Sequence, residues 1–362
     1  MAKKRVVVGM SGGVDSSVAA CLLQESGYEV IGVTMQIWPD EMEDAQGDGG
    51  CCGLTAVEDA RRVAQTLGIP HYVMNFRREF KERVIDYFVK EYVNGRTPNP
   101  CIACNRYVKW ESLLRRSLKL GADYIATGHY ARVRLLDNGR YTLQSSVTAE
   151  KDQTYALYSL TQHQLAHTLM PVGDYTKEDI RRMAKEANLP VAHKPDSQEI
   201  CFVPDGDYAG FIDSMLPSPV PPGDFVDVRG EKIGIHKGVT HYTIGQRKRL
   251  GLAMGHPVFV AAIRPQSNEV VIGESEDIFS LSLRCSHLNY MSCEDFEDGM
   301  SVMAKIRYNH RGAVCRLYKA SPDEALCRFE EPQRAITPGQ AVVFYQGDMV
   351  MGGGTIERAV AE

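Results

Sequence analysis

Three cysteines lie in polar stretches where their thiols could take part in chemistry. Cys101 and Cys104 are three residues apart in GRTPNPCIACNRYVK, which runs from Gly95 to Lys109, and Cys201 lies in DSQEICF. Basic residues at 96, 106 and 109 favour the thiolate, the reactive form of cysteine. A Cys-x-x-Cys pair is also half of a structural zinc site, but a four-cysteine site would have to recruit ligands from elsewhere in the chain. The two prolines of the first stretch predict a stiff loop rather than a helix.

A second stretch combines glycine and hydroxyl residues where a strand is predicted to meet a helix. Val6 to Val8 predict a buried strand, Ser11–Ser16 predicts a tight turn, and the apolar spacing that follows predicts a helix ending at Gly27. Glycines let backbone N–H groups approach a phosphate, and a helix N-terminus adds positive partial charge. The stretch therefore predicts a phosphate-binding loop, although no Gly-Lys-[Ser/Thr] closes it as in a Walker A loop. The alternative is an ordinary glycine turn.

These residues have to be positioned by elements that alternate along the first 130 residues. Strands are predicted at Glu29–Met35, Tyr72–Phe76 and Tyr124–Thr127, with helices between them and a mobile loop at Asp40–Gly53. This order indicates an α/β fold with a doubly wound parallel sheet, in which ligands bind at the carboxyl ends of the strands. Three stretches should converge there: Ser11–Ser16, the region around Met35, and Gly128–Ala131.

The second half of the chain has a different pattern. A proline-rich linker, LPSPVPPGD, begins at Leu216 and precedes short β-like segments, one of them at His241–Ile244. Further strands from about Leu281 are spaced as in a small barrel. Three domains are predicted: a catalytic α/β domain at 1–216, a small central β domain at 217–277, and a C-terminal β-barrel domain at 278–362.

The composition sets the cellular context. The chain has 362 residues, ten of them cysteine, and a formal net charge of −5. Its N-terminal apolar run is too short for a signal peptide, and no stretch approaches the ~20 apolar residues of a membrane span. We expect a cytoplasmic protein with reduced cysteines and no membrane partner. The net charge argues against indiscriminate coating of nucleic acid but allows one basic face.

The motif SGGVDSS resembles the modified P-loop of the N-type ATP pyrophosphatases. Further motifs follow it in order: GRTPNPCIACNRYVK, ATGHYA, KDQ and DSQEICF. With IRYNHRG and PGQAVVFY near the end of the chain, they resemble the tRNA-specific 2-thiouridylases over essentially the whole length. The resemblance implies a PP-loop domain that replaces the C2 oxygen of the wobble uridine of certain tRNAs with sulfur, at the expense of ATP.

The resemblance also implies a nucleotide site and a sulfur-transfer pair. ATP, with Mg²⁺ to neutralise charge, would be bound by Gly9, Met10, Ser11, Gly12, Gly13, Val14, Asp15, Ser16, Met35 and Gly128. Cys201 would carry sulfur as a persulfide, received from a donor protein such as a cysteine desulfurase or a sulfur-relay protein. Cys104 would act as a nucleophile toward the base or resolve the persulfide into a disulfide.

The tRNA would present an anticodon-loop nucleotide turned out of its stack. By the same resemblance, Asn99, Pro100 and Cys101 map onto the stretch that contacts the target base. The residues expected to contact tRNA are His129, Lys151, Asp152, Gln153, Arg307, Tyr308 and Gln340.

Cys101 departs from the family pattern, since many members have Asp at this position, where it is assigned an acid/base role on the base. A thiol cannot be assumed to fill that role. Three thiolates, those of Cys101, Cys104 and Cys201, could instead hold three irons of a [4Fe–4S] cluster and leave the fourth iron to bind sulfide. This cluster-dependent route is an alternative to the persulfide.

Two other classes of function share parts of the pattern. A different PP-loop enzyme, adenylating a small carbonyl compound or another tRNA base, would share SGGVDSS but would not require both Cys104 and Cys201. A non-catalytic metal-binding or RNA-binding protein would show no tRNA-dependent release of AMP and pyrophosphate. An ordinary ATPase would release ADP and phosphate.

Overall fold

The computed structural model describes residues 3–39, 54–195 and 200–360. The loop predicted at Asp40–Gly53 and residues 196–199 of the DSQEICF stretch lie outside these ranges, so the structure does not test the prediction of a mobile loop. None of the helices in the described ranges is long and apolar enough to cross a membrane.

The N-terminal part is built on a five-stranded parallel sheet, as predicted. Its strands are β1 (Arg5–Gly9), β2 (Glu29–Gln36), β3 (His71–Asn75), β4 (Tyr124–Ala126) and β7 (Thr168–Leu169), in the order β3-β2-β1-β4-β7. The central strand β1 pairs in parallel with β2 and β4. Val6 and Val8 are fully buried, which is why an uninterrupted run of β-branched residues suits this position. The order places the carboxyl ends of β1, β2 and β4 side by side.

Helices connect these strands. Helices α1 (Val14–Glu25) and α2 (Leu54–Leu67) come first. Helix α3 (Arg77–Phe80) follows β3 and continues through a π-helical segment (Lys81–Ile85) into α4 (Asp86–Val93). Farther along lie α7 (Gln162–Ala166), α8 (Lys177–Glu186) and α9 (Tyr208–Met215). Thr176 caps α8 in a capping box with Asp179.

The stretch that carries Cys101 and Cys104 is helical, so the prediction of a stiff loop was wrong. Helix α5 (Pro100–Ala103) continues through a π-helical segment (Cys104–Leu113) into α6 (Leu114–Lys119), and we call residues 100–119 the cysteine helix. Pro100 occupies the first helical turn, where its missing N–H has no intrahelical partner to lose. Asn99 is the N-cap, and its Oδ1 accepts from the Cys101 N at 3.0 Å and the Ile102 N at 3.3 Å.

The central β domain is a small sheet of order β10-β11-β8-β9. Its strands are β8 (Gly223–Asp227), β9 (Lys232–His236), β10 (Phe259–Arg264) and β11 (Glu269–Gly273). The strand predicted at His241–Ile244 is absent from this sheet, because the chain there forms a 3₁₀ turn (Val239–His241) that places Tyr242 in the domain's core.

The C-terminal part is a closed six-stranded barrel, again as predicted. Strands β12 (Phe279–Tyr290), β13 (Met300–Lys305), β14 (Ala313–Ser321), β15 (Glu324–Arg334), β16 (Ala341–Gln346) and β17 (Met349–Val360) close through a β12–β17 pairing. The hairpin of β5 (Ala131–Leu135) and β6 (Tyr141–Ser145) extends this sheet, because Gln144 pairs with Met349. A segment from the first half of the chain is thus joined to the C-terminal barrel.

Candidate nucleotide and sulfur-transfer site

The turn between β1 and α1 is held closed by its own hydroxyl groups. Ser16 Oγ accepts from the Ser11 N at 3.2 Å, and the hydroxyls of Ser16 and Ser17 reach the Gly13 carbonyl at 3.3 and 2.8 Å. Gly12 has φ +67°, and a Cβ there would lie 2.5 Å from the Ala56 carbonyl oxygen. Only glycine therefore fits this turn between the sheet and α2.

The stretch after β4 lies directly against the same turn. A Cβ on Gly128 would be 2.5 Å from the Ser16 N and 2.6 Å from the Asp15 carbonyl carbon. On the other side, the Met10 N donates to the Val33 carbonyl of β2 at 2.8 Å, two residues before the half-buried Met35. The structure thus brings Ser11–Ser16 and Gly128 into contact at the carboxyl edge of the sheet, as a phosphate-binding turn requires.

Asp15 is the carboxylate of this turn, and two residues from distant elements hold it. Its Oδ1 accepts from the Tyr130 hydroxyl at 2.8 Å and from Lys177 Nζ at 2.7 Å. The Lys177 side chain, at the start of α8, is only 9% exposed. This lysine therefore neutralises a carboxylate where a polyphosphate is predicted to bind. The sequence reasoning missed Lys177, because an isolated lysine at a helix start carries no motif of its own.

The cysteine helix carries two of the three cysteines that the sequence singled out. Cys101 is exposed in its first turn, whereas Cys104 and Cys201 are half-buried. Cys104 and Cys201 pack against the same hydrophobic core, which includes Phe80 and Phe88. All three cysteines are thiols in the structure.

The basic residues near the cysteines interact with other side chains of the protein. Arg96 pairs with Glu91 and Glu357, each at 2.7 Å, and Lys109 Nζ donates to Asn105 Oδ1 at 2.8 Å. Arg106 is exposed and lies over the Tyr107 ring. The charge of Arg96 is therefore compensated by two carboxylates, whereas Lys109 keeps its charge beside a neutral amide. That Arg106 and Lys109 favour the thiolates stays a prediction.

Three residues predicted to contact the target base or the tRNA are neighbours. Burial first, and then electrostatic interaction with Asp152 and Cys101, raises the pKa of Tyr308. Tyr308 is 40% exposed and packs edge-on against the buried Tyr155 ring at 6.1 Å. An exposed aromatic side chain beside Cys101 can offer a stacking surface to an extruded base.

Other residues predicted to contact tRNA are bonded within the protein. Asp152 accepts from the Ser146 N and the Thr154 hydroxyl, and Gln153 Oε1 accepts from the Tyr130 N. Gln340 Nε2 donates to the Thr97 carbonyl at 2.7 Å, and Arg307 Nη1 donates to the Arg334 carbonyl at 3.0 Å. Half-buried Lys151 stands at the end of the 3₁₀ turn Ala149–Lys151. Direct contact with tRNA stays a prediction for this group.

His129 is half-buried and follows Gly128, which contacts the nucleotide turn. Its Nδ1 lies 2.7 Å from the Thr127 hydroxyl, and its ring packs against Trp110 with centroids 5.5 Å apart. Burial, and then the Lys109 cation, lowers the pKa of His129 well below its ordinary value. His129 is therefore neutral at physiological pH and cannot act as a cationic phosphate contact.

The cysteines do not converge into a ligand cluster. Within residues 3–39, 54–195 and 200–360, no three His, Cys, Asp or Glu side chains lie close enough together to hold a metal ion. Cys101, Cys104 and Cys201 all fall in these ranges. The arrangement of the thiols gives no support to the [4Fe–4S] route.

Models of known domain families match the chain in three consecutive parts. Residues 4–205 match a tRNA methyl transferase HUP domain, residues 209–274 a tRNA methyl transferase PRC-barrel domain, and residues 280–356 an aminomethyltransferase β-barrel domain. The first of these covers the parallel sheet, the nucleotide turn and the cysteine helix.

Named relatives match the chain over nearly its full length. A protein named tRNA-specific 2-thiouridylase MnmA from Lachnoclostridium phytofermentans is 67% identical over 354 residues, which are 98% of this chain and 99% of that protein. Proteins of the same name from Clostridium perfringens and Acetivibrio thermocellus are 57% and 56% identical, each over 99% of this chain and at least 99% of the relative. The chain belongs to the family of tRNA-specific 2-thiouridylases.

Proposed function

We propose that this enzyme uses ATP to replace the C2 oxygen of the wobble uridine of tRNA with sulfur. The observation that carries the proposal is the placement of a closed, carboxylate-bearing glycine turn and two core-anchored cysteines in one α/β domain, within a chain so similar to 2-thiouridylases. The residue roles below are part of the proposal.

The first step makes the uridine oxygen a good leaving group. The C2 oxygen attacks the α-phosphorus of ATP, a new P–O bond forms, and the bond to pyrophosphate breaks. Backbone N–H groups of the turn Ser11–Ser16 and the N-terminus of α1 would hold the departing pyrophosphate. Gly9, Met10, Met35 and Gly128 would line the rest of the nucleotide site, with Gly128 close enough to the turn to exclude side chains.

Mg²⁺ fits such a site through few protein ligands. It is commonly bound by one or two carboxylates together with substrate phosphates and water. Asp15 is the carboxylate of the turn and would hold the ion with the phosphate oxygens. The bound Mg²⁺ would neutralise negative charge on the leaving pyrophosphate.

The second step delivers sulfur to the activated carbon. The terminal sulfur of a Cys201 persulfide attacks C2, the C2–S bond forms, and AMP leaves with the original oxygen. The Cys104 thiolate then attacks Cys201 Sγ, which breaks the S–S bond and releases 2-thiouridine. The resulting Cys104–Cys201 disulfide must be reduced before the next turnover. A persulfide-donating protein would reload Cys201.

The target uridine would lie between the start of the cysteine helix and Tyr308. Asn99, Pro100 and Cys101 would contact the base, and Tyr308 would stack on it or on its neighbour. His129, Lys151, Asp152, Gln153, Arg307 and Gln340 would contact the tRNA or position the groups that do.

The test is thiolation of tRNA in vitro with ATP and a persulfide donor, by wild type and by Cys104→Ser and Cys201→Ser. We expect both serine variants to lose thiolation, since serine can neither carry a persulfide nor cleave one. Cys293→Ser, a half-buried thiol of the C-terminal domain, is the control and should retain activity. Normal thiolation by both serine variants would refute the proposed sulfur route.

A further inference from the structure

Residues 95–97, which lead into the cysteine helix, are held by the two β domains. The Thr97 N donates to the Pro338 carbonyl at 2.8 Å, and the Thr97 carbonyl accepts from Gln340 Nε2 at 2.7 Å. The Thr97 hydroxyl donates to the Thr243 hydroxyl of the central domain at 3.3 Å. Both backbone groups of Thr97 are thus satisfied from the C-terminal domain.

Neighbouring positions show the same close fit. A Cβ on Gly339, which has φ +88°, would lie 3.0 Å from the Thr97 N. Gly95, with φ +69°, leaves room for Pro265 and Ile263, whose side chains would lie 2.8 and 3.0 Å from a Cβ there. Gly339 thus lets the backbone of the C-terminal domain approach Thr97, and Gly95 leaves room for two side chains of the central domain.

Arg96 adds an ion pair across the same junction. Its Nε donates to Glu91 of α4 at 2.7 Å, while Nη1 and Nη2 donate to the two Glu357 oxygens at 2.7 and 3.3 Å. The three side chains are only 16–31% exposed, so water screens the pairs weakly. Glu357 is fixed in turn by the Ser286 hydroxyl, at 2.5 Å from its Oε1.

We propose that the β domains position the cysteine helix for catalysis through this clamp, which consists of Thr243, Pro338, Gln340 and Glu357. The inference rests on the proposed function. Thr97 is two residues from the N-cap Asn99 and four from Cys101. A displacement of Thr97 at the clamp would therefore also displace the start of the cysteine helix. A shift of about 1 Å at reacting groups can cost on the order of 100-fold in rate. Glu357 and Gln340 are therefore positioning residues, although neither needs to touch the base.

The sharpest test compares two substitutions that remove opposite partners of Arg96. Glu357→Gln breaks the cross-domain pair, and Glu91→Gln breaks the pair within the N-terminal domain. We expect Glu357→Gln to lower kcat for thiolation about ten-fold while KM for tRNA stays within about two-fold, since the tRNA-binding surface is intact. Glu91→Gln should change kcat less than about three-fold.

Hydrogen exchange without tRNA gives a readout independent of activity. Amides of residues 97–104 should exchange faster in Glu357→Gln than in wild type or Glu91→Gln. Gln340→Leu, which removes the bond to Thr97, should act like Glu357→Gln and serves as the second variant if that protein is unstable.

Unchanged exchange at 97–104 in both clamp variants would overturn the inference. So would a raised KM with unchanged kcat in Gln340→Leu, because that result would make Gln340 a direct tRNA contact. A wild-type protein that does not thiolate tRNA would refute the proposed function instead, while the exchange comparison would still report on the clamp.

Discussion

At the residue scale, Asp15 presents an electrostatic problem that the structure resolves. A carboxylate in a turn that binds polyphosphate would repel its ligand. Lys177 Nζ lies 2.7 Å from Asp15 Oδ1, and the hydroxyl of Tyr130, which follows β4, donates to the same oxygen. The ion pair with Lys177 lets the turn keep Asp15 as a potential metal ligand while the net charge of the turn stays near zero.

Lys177→Met should therefore weaken ATP binding. Methionine keeps the apolar length of the side chain but leaves the Asp15 carboxylate uncompensated beside the phosphates, so we expect the Kd for ATP to rise about ten-fold or more. Tyr130→Phe removes one hydrogen bond to the carboxylate but keeps the compensating cation, so it should raise the Kd for ATP only about two- to five-fold. Calorimetric titration with ATP measures both, and wild-type affinity in Lys177→Met would contradict this role.

The residues that the sequence identified were those carried by contiguous motifs. The turn Ser11–Ser16 could be predicted because glycine and hydroxyl spacing follows from local backbone geometry. Lys177 could not, because its contact with Asp15 joins residues 162 positions apart. The sequence likewise suggested that Arg96 favours the thiolates of the nearby cysteines. The structure pairs Arg96 with Glu357, which is 261 positions away.

At the element scale, the cysteine helix shows how a local rule can be applied at the wrong position. Prolines break helix interiors, but Pro98 lies before the N-cap and Pro100 is in the first turn. The motif Asn-Pro therefore starts the helix rather than preventing it. The strands of the parallel sheet were predicted more accurately, because the buried centres of β1 and β2 are visible in the sequence as short apolar runs.

Gly128, which follows β4, lies against the start of α1, and a substitution there tests how closely the two elements must pack. Gly128→Ala would place a methyl group 2.5 Å from the Ser16 N and push the start of α1 away from the sheet. We expect a loss of about 1–3 kcal/mol in the free energy of unfolding, from overpacking, together with weaker ATP binding.

Gly9→Ala is the matched control for stability alone, because its added Cβ would have no neighbour closer than 3.8 Å. Urea denaturation of both variants compares them. Equal stability of the two would show that the turn tolerates displacement from β4.

At the scale of the whole molecule, three regions of chain meet at the start of the cysteine helix. The barrel pairs with the hairpin β5–β6 of the N-terminal half. Its residues Pro338, Gln340 and Glu357 also bond to residues 96–97. The barrel itself was predictable from strand spacing. The pairing of the barrel with β6 was not predictable, because strand pairing across about 200 residues leaves no local signal.

The molecule is acidic overall, with a net charge of −5, yet its proposed substrate is a polyanion. Binding should therefore depend on a few local cations, and tRNA affinity should fall roughly ten-fold or more between 50 and 200 mM salt. Arg307→Gln should flatten the dependence of log Kd on log salt by about one unit. Arg229→Gln, which removes a cation paired with Asp227 and Glu231, should leave the slope unchanged. Filter binding over this salt range measures the slopes, and a flat wild-type curve would contradict phosphate contact.

The central step of the proposed reaction is the activation of the uridine oxygen by ATP in the domain that holds Cys104 and Cys201. The most direct measurement follows ATP labelled at the α- and γ-phosphates during thiolation of tRNA, with 2-thiouridine counted in the same samples. One AMP and one pyrophosphate should appear for each 2-thiouridine, and none should appear without tRNA. Cleavage to ADP and phosphate, or 2-thiouridine formed without AMP, would contradict the account.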